Sequence, residues 1–266
     1  MRLTKHHGLG NDFLVVLDLA GHQPVTPALA VALCDRRTGL GADGLIRVTA
    51  GTGEADVTMV LLNADGSEAE MSGNGIRCLA QAVFQSQLAA PPVLRVATAA
   101  GLRTVTELSR ADVHTQRFSV EMGPAKVGAD EPEWVDGPVL RATRVDVCNP
   151  HVVLHWAEAG LPDCDTLIAI GERIDGLTPG GANVEIVRPA ATAGQIDMVV
   201  FERGVGPTLA CGTGAVAVAA AAHHWELAGT ESTVNMPGGS VDVALGDPAL
   251  LIGDATSVAT VYTPWP

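Results

Sequence analysis

The sequence predicts an α/β protein made of a duplicated unit of about 120–140 residues. Three observations support that. Strand-like and helix-like stretches alternate along 266 residues that are 47% hydrophobic and carry 30 Gly and 16 Pro, a composition suited to a compact enzyme with many tight turns. Two glycine-rich loops, Ser72-Gly73-Asn74-Gly75 and Cys211-Gly212-Thr213-Gly214, each open an apolar helix. Four anchors recur in the same order 138 to 140 residues apart: Asn11 to Val15 with Asn149 to Val153, Gly41-Ala42-Asp43 with Gly181-Ala182-Asn183, Met59-Val60 with Met198-Val199, and Ser72 to Gly75 with Cys211 to Gly214. Single matches among common small residues mean little, but four in order at one spacing indicate two similar domains facing each other.

The elements follow in chain order. Residues 3–18 read as a strand interrupted at Gly8-Leu9-Gly10 and resuming at Phe13-Leu14-Val15-Val16. Thr26 (before Pro27) to Arg36 predicts a short helix, with Leu29 and Leu33 four apart on one face. Gly39 to Gly44 is a turn into a strand at 45–48, and Met59 to Leu62 is the next strand. Ser72 then opens a helix from Gly73 to about Gln87, stopped by Pro91-Pro92. Strands at 93–97, 102–107 and 117–122 complete the first half. In the second half, Val152-Val153-Leu154 and Ile196 to Phe201 read as strands and Glu202 to Leu209 as a loop. Cys211 opens a helix of Ala and Val that ends at His223-His224, where a cation suits the helix C-terminus. The expected domains are 1–118 joined by about 256–266, and 119–255.

The formal charge of −14 argues against nucleic acid and anionic membrane as partners. The N-terminal stretch lacks the apolar core of a signal peptide, and the most apolar run, Ala215 to Ala222, is too short to span a bilayer. Five cysteines (34, 78, 148, 164 and 211), an odd number with no C-x-x-C pair, favour reduced thiols and a cytoplasmic setting. His151 and His155 have the spacing of helical zinc ligands, but on a strand that spacing separates them by about 13 Å, so no metal is expected.

Chemistry concentrates at the two helix starts. First-turn N–H groups lack intrahelical partners and carry the positive end of the helix dipole. Glycines there let a carboxylate approach closely, and Cys211 at such a terminus should have its thiolate favoured. Two helix starts holding one carboxylate, with a proton-carrying side chain at each, describe a two-base amino-acid racemase. The two lysines, Lys5 and Lys126, sit in no pyridoxal-phosphate-like loop, and no dinucleotide or Walker motif appears. The expected chemistry needs no cofactor.

Lys5 to Phe13, Asp35 to Gly44, Asn63 to Ser67 and on to Arg77, Asn149-Pro150-His151, and Glu202-Arg203-Gly204 through Gly214 closely resemble the diaminopimelate epimerase family, from about residue 3 to 224 with weaker matches beyond. The resemblance implies two pseudosymmetric domains of the α/β (α+β) class. Each is a curved, mostly antiparallel sheet wrapped round a central helix, with the site in the interdomain cleft. It implies cofactor-free interconversion of LL- and meso-2,6-diaminopimelate, serving lysine and peptidoglycan synthesis, and it allows a homodimer. Carried over by position, Asn11, Asn63, Asn149, Asn183, Glu202 and Arg203 would hold the substrate, with Asn63, Asn183 and Arg203 at its distal centre. The Gly73-Asn74 and Gly212-Thr213 amides would hold the reacting carboxylate, and His151 would line the cleft. Cys211 is one catalytic residue.

Three positions depart from the family pattern. Gly44 stands where some members have Gln, and Pro207 replaces a frequent loop Glu. Ser72 stands in place of the first catalytic Cys. A hydroxyl is far less acidic than a thiol of pKa about 8.5, so turnover is expected to be impaired or altered. Ser72 is open to three readings: a replacement that traps substrate, a paralogue epimerising another amino acid, or a working acid with an activating neighbour. A non-catalytic diaminopimelate-binding protein, and a cysteine hydrolase using Cys211 with His151, are the alternatives from other classes.

Overall fold

The structure, a computed structural model, describes residues 1–23 and 25–264; Trp265 and Pro266, at the end of the segment expected to join the first domain, lie outside the described residues. In chain order the elements are β1 (Arg2–Gly8), β2 (Asn11–Leu17), α1 (Pro27–Cys34), β3 (Gly44–Ala50), β4 (Val57–Asn63), β5 (Glu68–Ala69), α2 (Gly73–Gln85), β6 (Val93–Thr98), β7 (Gly101–Arg110) and β8 (Thr115–Gly123). They continue with β9 (Lys126–Asp130), a 3₁₀ turn (Pro132–Trp134), β10 (Val139–Asp146), β11 (Pro150–Trp156), α3 (Cys164–Leu177), β12 (Asn183–Pro189) and β13 (Gln195–Glu202). The last are β14 (Gly206–Thr208), α4 (Gly212–His224), β15 (Glu231–Met236), β16 (Gly239–Ala244) and β17 (Ala249–Tyr262). Two compact units result: Met1–Glu121 with the segment from Ile252, and Met122–Leu251.

In the first unit, β1 and β2 are antiparallel, β2 and β3 parallel, and β3 and β4 antiparallel. Strand β4 also pairs with the short β5 and runs parallel to β6, which is antiparallel to β7. Strand β7 pairs with β8, β8 with β17, and β17 returns to β1, so eight strands close into a barrel-like ring. Each parallel pair needs a crossover, and α1 and α2 supply the two. Helix α2 packs against β1, β2, β3, β4 and β7, with every residue from Gly73 to Phe84 buried. Thr26 caps α1, its side chain accepting from Leu29 N, ahead of Pro27, as a helix start favours. The run Asp12 to Val16 is buried throughout because this strand is covered on both faces. One face meets α2; the other contributes Leu14 and Val16 to a cluster with Leu33, Leu45 and Leu62 under α1. Each such side chain stabilises the unit by about 2 kcal/mol.

The second unit repeats this connectivity. Strands β10 and β11 are antiparallel, β11 and β12 parallel, and β12 and β13 antiparallel; β13 then pairs with the short β14 and runs parallel to β15, which is antiparallel to β16. Helices α3 and α4 occupy the crossovers that α1 and α2 occupy in the first unit. The wholly buried face of α4 packs against β9 to β13, β15 and β16. Its Ala and Val residues combine high helix propensity with little bulk. Helix α3, absent from the sequence reading, starts at an Asp163 cap and packs Leu167 and Ile174 against Val184, Ile186 and Phe201. Gly171 is required there: a Cβ would stand 2.3 Å from the Phe201 ring.

The structure differs from expectation in two further details. Helix α2 ends at Gln85, where Gln87 takes a left-handed conformation at φ 57°, so the stop precedes Pro91-Pro92. The expected loop 202–209 contains β14, because Gly206 to Thr208 meets Val200 to Glu202 across a tight turn.

Candidate functional site

Both central helices begin the same way, with different atoms. Ser72 is the N-cap of α2 in an extended conformation (φ −140°, ψ 118°), and its Oγ accepts from Gly75 N at 3.0 Å. Cys211 is the N-cap of α4 (φ −125°, ψ 117°), and its Sγ accepts from Gly214 N at 3.4 Å. The cap geometry turns each heteroatom over the first turn, whose amides are not used by the helix ladder. Ser72 is half-buried; Cys211 is 5% exposed.

Around Ser72, Asn74 is buried and donates to Asn11 Oδ1 at 3.3 Å, and Asn11 donates to Asp43 Oδ2 at 2.9 Å. Asp43 shares Arg36 with Asp12, which also meets Lys5 Nζ at 2.8 Å. Burial raises the Asp12 carboxyl, but Arg36 and Lys5 outweigh it and hold the group below its ordinary value. Arg77, wholly buried one turn into α2, anchors the arrangement. It donates to Gly73 O at 2.9 Å, Asn74 Oδ1 at 2.7 Å and Asp254 O at 3.2 Å, and burial brings its pKa down to about 10. Asn63, at the end of β4, donates to Ser67 Oγ at 3.0 Å.

Around Cys211, Thr213 Oγ1 lies 3.5 Å from Sγ, and Asn149 Nδ2 donates to that hydroxyl at 3.4 Å. His151 Nε2 is 2.9 Å from Asn149 Oδ1, and its Nδ1 is 2.7 Å from Glu185 Oε1. Asn183 accepts from Arg203 N at 3.0 Å, while Arg203 Nη1 donates to Gly180 O at 2.9 Å, which seats the guanidinium stem on the Gly180-Gly181 turn. Thr208 donates to Glu202 Oε1 across the β13–β14 turn.

The structure thus brings Asn149, His151, Cys211 and Thr213 into one bonded cluster, and Asn183 with Arg203 into another. It gathers Asn11 with Asn74, and leaves Asn63 on its own loop contact. Two sequence expectations change. The Cys211 thiol is raised rather than lowered: burial is the largest cause, the Glu202 and Glu185 carboxylates add to it, and the Thr213 hydroxyl and Gly214 amide only partly offset them. The dipole of a helix start is worth less than the loss of water around the sulfur. His151 bonds Asn149 and Glu185, not Cys211, so the Cys–His pair a hydrolase needs is not formed. Glu185 and Arg77 were not singled out from the sequence. Glu185 had a signal, being the lone acid in the apolar strand Val184 to Val187.

Among solved structures, the chain is similar to a probable proline racemase from Agrobacterium radiobacter (TM-score 0.73, 19% identity, covering 100% of this chain and 93% of that one). It is also similar to a hydroxyproline epimerase from Agrobacterium vitis (TM-score 0.72, 16% identity, 98% and 91% covered). At these identities the likeness is one of fold alone. Sequence carries the assignment further. The family profile described as diaminopimelate epimerase matches residues 3–128 and 143–258. Proteins named diaminopimelate epimerase from Rhodococcus opacus (39% identical, 98% of this chain and 96% of that one) and a Cyanothece species (37%, 97% and 98%) align along nearly their whole lengths. The chain belongs to the diaminopimelate epimerase family.

Proposed function

We propose that this protein interconverts LL- and meso-2,6-diaminopimelate, removing the α-proton with one group and returning it from another. Cys211 is the stronger of the two groups and Ser72 occupies the partner position. The observation that carries this reading is the repeated cap: in a member of this family, two topologically equivalent helices each begin on a side chain able to hold a proton. The first-turn amides of Gly73-Asn74 and Gly212-Thr213 hold the carboxylate at the reacting carbon, where the helix dipoles favour negative charge. Asn63, Asn183 and Arg203 hold the distal centre; Arg203 presents a planar fork suited to a carboxylate. Asn11, Asn149 and Glu202 hold the remaining polar groups, with His151 behind Asn149.

The raised Cys211 thiol fits the role of resting acid. As substrate brings a compensating ammonium charge into the site, the thiol passes its proton to solvent, and the thiolate then takes the α-proton and returns it. Ser72 Oγ, half-buried and accepting one amide, must work against the low acidity of a hydroxyl, and each unit of mismatch costs about 1.4 kcal/mol. Turnover is therefore slow relative to a two-thiol site. The test is deuterium incorporation at the α-carbon in heavy water, started from each stereoisomer, for this chain and Ser72→Cys. The expected result is exchange from one isomer with little inversion in the native chain, and faster inversion in Ser72→Cys. Equal exchange from both isomers would show that Ser72 already removes and returns a proton. No exchange by either protein, with calorimetric binding retained, would make the chain a binding protein instead.

A further inference from the structure

Glu185 sits on β12 with no exposure, in a strand otherwise apolar from Val184 to Val187. One carboxylate oxygen, Oε1, meets His151 Nδ1 at 2.7 Å; the other, Oε2, is buried with no hydrogen-bond partner among the described residues. The first turn of α4 comes down on this carboxylate. A Cβ on Gly214 would stand 2.6 Å from Glu185 Oε1, so a larger residue there would displace this carboxylate oxygen.

The hydrogen bonds that leave this pair have a defined direction. His151 Nε2 faces Asn149 Oδ1 at 2.9 Å, and an amide oxygen only accepts, so Nε2 carries a hydrogen. The other end of the amide, Nδ2, then donates to Thr213 Oγ1 at 3.4 Å. With its oxygen accepting, the hydroxyl has its one hydrogen left for Cys211 Sγ, 3.5 Å away. A single proton lies between Glu185 Oε1 and His151 Nδ1 whichever atom holds it.

We propose that Glu185 is a positioning residue for Cys211: by occupying His151 Nδ1 it fixes the Nε2–H form of the ring, and so points the Asn149 and Thr213 donors toward the sulfur. Without Glu185, His151 is free to turn a lone pair to Asn149. The Asn149 amide then reverses to donate to it, its oxygen faces Thr213, and the Thr213 hydroxyl bonds that oxygen instead of Sγ. One tautomer thus decides whether the thiolate, once formed, has one donor (the Gly214 amide) or two. The proposal rests on Cys211 being a proton-carrying group, and its test avoids turnover.

Alkylation of Cys211 by iodoacetamide, followed by peptide mass spectrometry at one alkaline pH, reads thiolate formation directly. Glu185→Gln keeps an N–H that can donate to Nδ1, so its rate should stay within about threefold of the native chain. Glu185→Leu and Thr213→Val should each slow alkylation about tenfold, the value of one hydrogen bond to a charged atom. The double variant should be no slower than Thr213→Val alone, because both act on the same bond. Equal slowing by Gln and Leu, or additive loss in the double variant, would overturn the proposal. Should Glu185→Leu not fold, nitrogen NMR of the native chain decides it, with His151 assigned by comparison with His151→Gln. A protonated Nε2 supports the tautomer; an unprotonated Nε2 overturns it. Neither measurement needs epimerisation, so an inactive protein with the expected alkylation pattern would count against the proposed activity alone.

Discussion

Helices α2 and α4 occupy equivalent places in their units, yet their polar networks run in different directions. In the second unit, a chain of polar contacts links the Glu185–His151 pair through Asn149 and Thr213 to the Cys211 sulfur. In the first, Arg77 donates to Asn74, Asn74 to Asn11, and Asn11 to Asp43, ending on a carboxylate and bypassing Ser72. The helix bodies differ too. Helix α4 is Ala and Val from Ala215 to Ala222, whereas α2 buries Arg77 and Gln81 with no exposure. Gln81 donates to His114 O and Ala255 O and accepts from His6 Nδ1 at 2.7 Å. Duplication preserved the cap geometry and the topology. What differs is where each network ends: at the cap sulfur in one unit, on the Asp43 carboxylate in the other.

Exchanging the caps should have the largest effect. Cys211→Ala should reduce α-proton exchange about 10³-fold, and Ser72→Cys should raise inversion about 10²-fold, the range for a positioned acid or base. Exchange assays from both isomers measure this, and a Ser72→Cys variant no faster than the native chain would mean the two caps are not functional equivalents. Next come the helix bodies. Arg77→Met should cost roughly 3 kcal/mol in urea unfolding, because it leaves buried carbonyls without donors. Val216→Ala, at the equivalent place in α4, should cost about 2 kcal/mol from lost packing alone.

The pH dependence should follow the first unit's network. Burial, partly opposed by Gln81, holds the His6 imidazole below its ordinary 6.5. Its folded pKa is depressed, so the unfolded chain binds more protons once pH falls below about 6.5. Stability should then decline, by up to about 1.4 kcal/mol per pH unit. Chemical denaturation of His6→Gln at several pH values should show a shallower decline; an unchanged slope would place the effect elsewhere. The smallest expected effect is the cap bond itself: Ser72→Ala should lose about 1 kcal/mol of stability, measurable as a shift of the unfolding midpoint at constant slope.

Much of this was legible along the chain because it depends on local chemistry. Pro27 behind Thr26, the glycines after Ser72 and Cys211, and the apolar runs at 13–16 and 196–201 mark helix starts and strands through nearest-neighbour sterics and side-chain period. The repeat was legible because its anchors keep their spacing. Helix α3 was not, since Cys164 to Leu177 mixes charged and apolar residues and its face is set by packing on Val184, Ile186 and Phe201. The contact of Glu185 with His151 was equally hidden, being set by a parallel register that pairs His151 with Asn183, two residues before Glu185.

The sequence by itself determined the duplicated plan, the family, and the side chains present at each helix start, because each follows from the order of residues. The tertiary structure decided how those side chains behave. Proton affinity depends on burial and on charges from other strands, and at Cys211 these outweigh the helix start, raising a thiol that its local setting alone would have lowered.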